Sequence, residues 1–220
     1  MMITIERSGY NGDRHHRLGY GHRKGREVRI TKEKKRENHE RIVAIASELF
    51  REHGFDGVGV AELMERAGLT HGGFYNHFRS KEDLIAETAE KGLRETLERY
   101  AGQDAVAVME LYISREHRDA PGQGCTAAAL SCDAARQPDE TKSVFAAGIE
   151  KLVCALEDGI ARNSAPRGGM RAQAISVLAQ AVGAVILSRA CPDDSSLADE
   201  ILDACRADCR DAIENRAHKQ

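Results

Sequence analysis

From Glu37 onward, apolar residues recur at helical spacing along almost the whole chain. Ile42, Ile45, Ala46, Leu49 and Phe50 stand at i, i+3, i+4, i+7 and i+8, which predicts one amphipathic helix over Glu37–His53, ended by Gly54. Val60 to Ala67 is a second, short apolar helix, broken by Gly68. Ser80 with Asp83 is a capping pair at the head of the next apolar run, where Ile85, Ala89, Leu93 and Leu97 form a stripe reaching Tyr100. Asp104 to His117 continues the pattern, and Asp119–Gly124 is a loop rich in breakers. Cys125–Arg136 is a short helix stopped by Pro138. Asp139–Arg162 is a long one carrying Phe145, Ile149, Leu152, Leu156 and Ile160. A turn at 165–169 precedes the helix Met170–Ala190, and Pro192–Ser196 opens a last helix ending near Arg216. No strand alternation and no repeat occurs, so the fold class is all-α.

The centre of this layout is Gly68-Leu69-Thr70-His71-Gly72-Gly73-Phe74-Tyr75-Asn76-His77-Phe78. Gly68 turns the chain, and Thr70 is placed to cap a new helix by accepting its free N–H groups. Phe74 and Phe78, four apart, share an inward face with Phe50, Phe55 and Leu63. Thr70, His71, Asn76 and His77 point elsewhere. Gly72 and Gly73 each cost a helix about 1 kcal/mol, which makes sense if this backbone must approach a phosphate or a base edge closely. Helix, tight turn, helix is the layout of a helix-turn-helix DNA reader.

Gly54-Phe55, Glu62-Leu63, Ala67-Gly68-Leu69-Thr70, Phe74-Tyr75-Asn76-His77-Phe78 and Ser80-Lys81-Glu82-Asp83-Leu84, in that order and spacing, resemble the N-terminal domain of TetR-family transcriptional regulators. The resemblance spans about residues 38–90. It departs at Gly59, where the family usually carries a capping Thr or Ser that touches a phosphate.

The resemblance implies a helix-turn-helix domain over 37–83 joined to a larger helical effector-binding and dimerisation domain over 84–220. It implies a cytoplasmic homodimer on a palindromic operator in double-stranded DNA, nucleoid-associated when bound. Repression is the family's usual mode, and some of its members sense reactive compounds through cysteines, so a repressor released by a small-molecule or thiol-reactive effector is expected. Thr70 and Tyr75 match phosphate-contacting positions. Lys81, in a first helical turn, is placed for a phosphate. His71 and Asn76 are the candidates for base edges, Gly72 and Gly73 for close backbone approach, and His77 completes the surface.

Charge is divided along the chain. Residues 1–79 hold 15 Lys and Arg against 11 Asp and Glu, while residues 80–220 hold 17 against 24. A basic front and an acidic rear suit one DNA-binding end. Residues 1–36 read as a basic arm without apolar period, with ten Lys and Arg against two Glu from Arg14 to Arg36. The N-terminus lacks the apolar segment of a signal peptide. Ala172–Ser188 carries no formal charge but is interrupted by Gln173, Ser176, Gln180 and Gly183, and reads as a buried or interface helix, not a membrane span.

Leu178, Val182 and Val185 on the uncharged helix, with Ile201, Cys205 and Ile213 from a spacing-four row on the last one, are the candidate dimer interface of a four-helix bundle. Met109, Tyr112, His117 and Phe145 are candidate effector-pocket residues. The six cysteines are expected to be reduced thiols. Cys125, following Gly124 at a helix start, is the candidate redox or electrophile sensor. Cys205 and Cys209 share one helical face and sit on its apolar row, where a small thiol packs well, so neither a metal nor any other cofactor is expected. No nucleophile elbow, phosphate loop or zinc-protease motif occurs, so a catalytic function is not expected. The competing reading is a helical protein-interaction module without DNA binding. It requires a non-basic surface around Tyr75, His77, Arg79 and Lys81.

Overall fold

A computed structural model describes residues 31–163 and 169–214. Within them the order is α1 (Lys32–His53), α2 (Val60–Arg66), a 3-10 segment (His71–Asn76), α3 (Lys81–Tyr100), α4 (Ala105–Tyr112), α5 (Arg115–Asp119), a 3-10 turn (Pro121–Gln123), α6 (Thr126–Ala134), α7 (Asp139–Asn163), α8 (Met170–Arg189) and α9 (Ser196–Glu214). Among the described residues there is no strand. The expected arm falls mostly at 1–30, and most of the expected turn at 164–168; both stretches lie outside the described residues. The helix boundaries match the periodicity closely, with two differences. The first helix begins at Lys32, so the last residues assigned to the arm are helical. The stretch 104–117 is two helices: α4 ends at Tyr112 with Ile113 as its cap, and Ser114 accepts the His117 N–H to start α5. A serine offers the backbone this alternative to a continuous ladder.

The first three helices pack through the predicted phenylalanines. Phe50 and Phe55 meet edge to face at 5.4 Å, and Phe74 and Phe78 lie 5.3 Å apart. All four are buried, each contributing about 1.5–3 kcal/mol by its burial. Gly68 sits at φ +66°, its N–H on Glu65 O and the next N–H, of Leu69, on Met64 O. These two bonds close α2 in a Schellman motif, and the left-handed residue is a glycine because it has no Cβ. Ser80 accepts the Asp83 N–H at 3.2 Å, as the capping pair predicts.

α1 also packs on the second half of the molecule. Arg51 Nε donates to Gly122 O at 2.8 Å, and Gln123 Nε2 donates to Glu48 Oε1 at 2.8 Å. Gly92 of α3 faces α6 so closely that a Cβ there would lie 2.2 Å from Thr126 Oγ1. By length and composition α8 is apolar enough to cross a membrane. Here it packs between α7 and α9, burying Val177, Ala181 and Val185, and Gln173 Nε2 donates to Ala212 O.

Candidate DNA-reading surface and effector cavity

The second element of the helix-turn-helix is a single 3-10 segment, not the expected α-helix. Six residues with two adjacent glycines gain too little from α-helical propagation. Thr70 precedes it in extended conformation, but its hydroxyl makes no cap bond. It is the Thr70 carbonyl that accepts the Gly73 N–H. The expected side-chain cap is therefore corrected.

Phe74 anchors the segment, and Thr70, His71, Gly72, Tyr75 and Asn76 are left on the outside. Tyr75 is 67% exposed, a large aromatic ring with no burial to account for it. Among the described residues, chain neighbours aside, nothing lies within 4 Å of where a Cβ at Gly72 would stand, and its φ is not positive. The fold thus has no need of a glycine there. Gly73 is half-buried, facing Thr70 and Met64.

His77 differs from its neighbours. It turns inward, 5.9 Å from the His39 ring, and its Nδ1 is buried without a partner among the described residues. Burial, then the neighbouring His39 and Lys35 charges, hold its imidazole below the usual range. His39 stacks on Phe78 at 4.6 Å and bonds Glu87 of α3 at 2.7 Å, so this corner fixes the segment against α1 and α3. Lys81, partly buried, holds its ammonium 5.9 Å from the Phe50 ring centroid.

In the second half, α3, α4, α7 and α8 surround a cavity of about 270 Å³. Met109 and Tyr112, two of the four candidate pocket residues, line it together with Cys125. His117 and Phe145 do not. Phe145 is buried in the core away from it, and His117 stands behind Tyr112. The His117 ring bridges two backbone groups: Nδ1 lies 2.7 Å from Tyr112 O, and Nε2 accepts the Cys125 N–H at 2.9 Å. Cys125 caps α6, yet its thiol is 2% exposed and faces the cavity rather than solvent. Sequence reasoning missed the cavity's other walls, Leu97, Leu152 and Leu156, because a helical core uses the same residues.

The dimer expectation needs correction. Val185 and Ile213 are buried within the protomer, and Leu178 lines the cavity. A spacing of four advances about 400° on a 3.6-residue helix, so such a row drifts about 40° per step. Along α9 it runs from Leu197 outside, through half-buried Ile201 and Cys205, to Cys209 and Ile213 in the core. Burial pushes the Cys209 thiol up to about 12, as befits a packing residue. The apolar residues left outside on this pair are Ile175, Leu187 and Leu197, beside half-buried Val182 and Ile201.

Residues 42–88 match the family model of bacterial regulatory proteins, tetR family. Over 60 residues the chain is 36% identical to the HTH-type transcriptional regulator AcrR of Shigella flexneri, covering 27% of this chain and 28% of that relative. Over 141 residues it is 23% identical to the HTH-type transcriptional repressor NemR of Escherichia coli K12, covering 60% of this chain and 71% of NemR. The reduced form of E. coli NemR has the same fold, with TM-score 0.65 and 22% identity over 80% of this chain and 96% of NemR. A TetR regulator from Chloroflexus aurantiacus J-10-fl superposes with TM-score 0.64 at 25% identity, over 82% of this chain and 96% of that one.

Proposed function

Through residues 42–88 the chain belongs to the tetR family of bacterial regulatory proteins, a DNA-binding family of transcriptional regulators, and from that membership we propose how this molecule reads DNA and is switched. Two copies pair across the outward faces of α8 and α9 and place their 3-10 segments in successive major grooves, roughly 34–36 Å apart, on a palindromic operator. Thr70 and Tyr75 meet phosphates, and His71 and Asn76 meet base edges. Gly72 and Gly73 bring the backbone close, and Lys81 supplies charge. His77, turned inward, positions the segment. The observation that carries this reading is Gly72. It is a glycine that the fold does not require, at the tip of an exposed polar edge.

The regulator works in the cytoplasm as a repressor, the mode that the name of NemR supports. Residues 37–83 form the reading half and 84–220 the effector half. The effector occupies the cavity at Tyr112 and Cys125. On that wall His117 holds the Cys125 N–H, next along the chain to the loop 120–124, and Gly122 and Gln123 of that loop are bonded to Arg51 and Glu48 of α1. A ligand that moves the wall therefore pulls on the reader's first helix.

Retardation of the chain's own upstream DNA by purified protein tests this, with Gly72→Glu and Tyr75→Ala combined as the control. The expected result is specific retention by the wild type and its loss in the double variant. Specific binding that survives both changes removes the 3-10 segment as the reader.

A further inference from the structure

The cavity's interior carries no charge. Its two charged lining residues, Asp158 and Arg162, are both exposed and stand at its mouth. Leu97, Met109, Leu152, Leu156 and Leu178 make most of the wall. Among the polar lining groups, Thr96 Oγ1 is committed to Gly92 O, the Gln103 amide to Arg99 O, and the Tyr100 hydroxyl has Arg99 beside it.

The exception is Tyr112. Its side chain is buried, with 4% of the residue exposed, and its hydroxyl is one of three buried side-chain polar atoms without a hydrogen-bond partner of good geometry among the described residues. The Cys125 thiol lies beside it and is, among the described residues, the one group in reach of the phenol, but sulfur is a weak acceptor, so the hydroxyl is left without a strong partner. Burial, then that thiol, keeps the phenol well above its usual range, so it remains an O–H donor. A buried donor without a partner destabilises the unliganded protein, and a ligand oxygen that accepts from it recovers that loss.

We propose that the cavity takes a compact, uncharged, largely apolar molecule of one or two rings carrying one carbonyl or ether oxygen, and that this oxygen accepts the Tyr112 hydroxyl. The proposal rests on the cavity being the effector site. Size follows from the volume. The 270 Å³ here lies between the roughly 150 Å³ of an engineered cavity that holds benzene and the roughly 300–1,000 Å³ of drug-sized sites. Charge follows from the lining. A carboxylate or ammonium at the inner end sheds its hydration with no counter-ion to meet it. A charged group is tolerated only at the mouth, beside Asp158 and Arg162.

Calorimetric titration of the full chain with acetophenone, ethylbenzene and benzoate tests the class. The wild type is expected to bind acetophenone about five- to tenfold more tightly than ethylbenzene, the worth of one net hydrogen bond. Benzoate is expected to bind at least about tenfold more weakly than acetophenone. Tyr112→Phe keeps the ring and should erase the preference for the ketone. If that variant does not fold, the wild-type preference decides alone. Equal binding of ketone and hydrocarbon overturns the proposal but leaves the cavity a ligand site, and so does a preference unchanged in Tyr112→Phe. Benzoate binding as tightly as the ketone overturns it too. If none of the three binds, the effector reading of the cavity falls as well.

Discussion

His117 Nε2 accepts the backbone N–H of Cys125 at 2.9 Å, eight residues on, while its other nitrogen serves the carbonyl of Tyr112. These two bonds fix the tautomer: Nδ1 carries the proton and Nε2 is bare. The ring must therefore be neutral, and burial accordingly holds it below the usual histidine range.

Acid should weaken this junction. A histidine with a lowered folded-state pKa is neutral in the native protein while the unfolded chain is already taking up a proton. Its stabilisation is complete above about pH 6.5, the ordinary value, and is lost as pH falls through the lowered one. His77 titrates in the same direction. Thermal unfolding followed from pH 8 to pH 5 should show falling stability below about 6.5. His117→Phe should reduce that slope and cost about 1–3 kcal/mol for each buried backbone group left unpaired at pH 8. A variant as stable as the wild type removes the bridge from the account.

Gly92 marks the contact of α3 with α6. A methyl group there meets the Thr126 hydroxyl at 2.2 Å and Arg51 Nη1 at 3.1 Å. Gly92→Ala should destabilise by about 1–3 kcal/mol despite its better helix propensity. Chemical denaturation measures it. A stabilised variant means the helices part without cost.

The DNA contacts separate by salt. Lys81→Ala should weaken binding to all sequences alike and flatten the salt slope by about one unit. Asn76→Ala should lose about 1–3 kcal/mol of discrimination at one base pair. Retention assays on the operator and on scrambled DNA, at two salt concentrations, distinguish the two effects.

The dimer face predicts a contrast. Ile175→Arg and Leu197→Arg lie on the outside and should give folded monomers by sedimentation, because a charge would otherwise be buried unpaired. Val185→Arg should unfold the protomer. Folded dimers in both outer variants would move the interface elsewhere.

Cys125 is buried but lines the cavity, so an electrophile small enough to enter it meets the thiol. N-ethylmaleimide adds the sulfur to one alkene carbon while the thiol proton ends on the other. It should release DNA from the wild type and not from Cys125→Ser. Equal release from both assigns Cys125 to packing.

The sequence by itself determined whatever is local. Heptad-scale spacing placed most helices within a residue or two. Ser80 and Asp83 announced a cap that forms, and Gly68 a turn that needs positive φ. Phe74 and Phe78 announced the buried face beneath the exposed edge of Thr70, His71, Tyr75 and Asn76. These depend on neighbours within one or two helical turns, so the pattern carries them. What the tertiary structure decided is rotation and partnership. Which side of α9 faces inward follows from how α8 and α4 pack on it, so Ile213 is core and Leu197 surface although both stand on one row. His117 becomes a bridge and not a cavity wall because α4 breaks at Ile113, and that break returns the ring to Tyr112 O and brings it to the Cys125 N–H. The unpaired hydroxyl of Tyr112 exists only where four helices leave a space between them. No spacing of residues along one helix encodes such a gap.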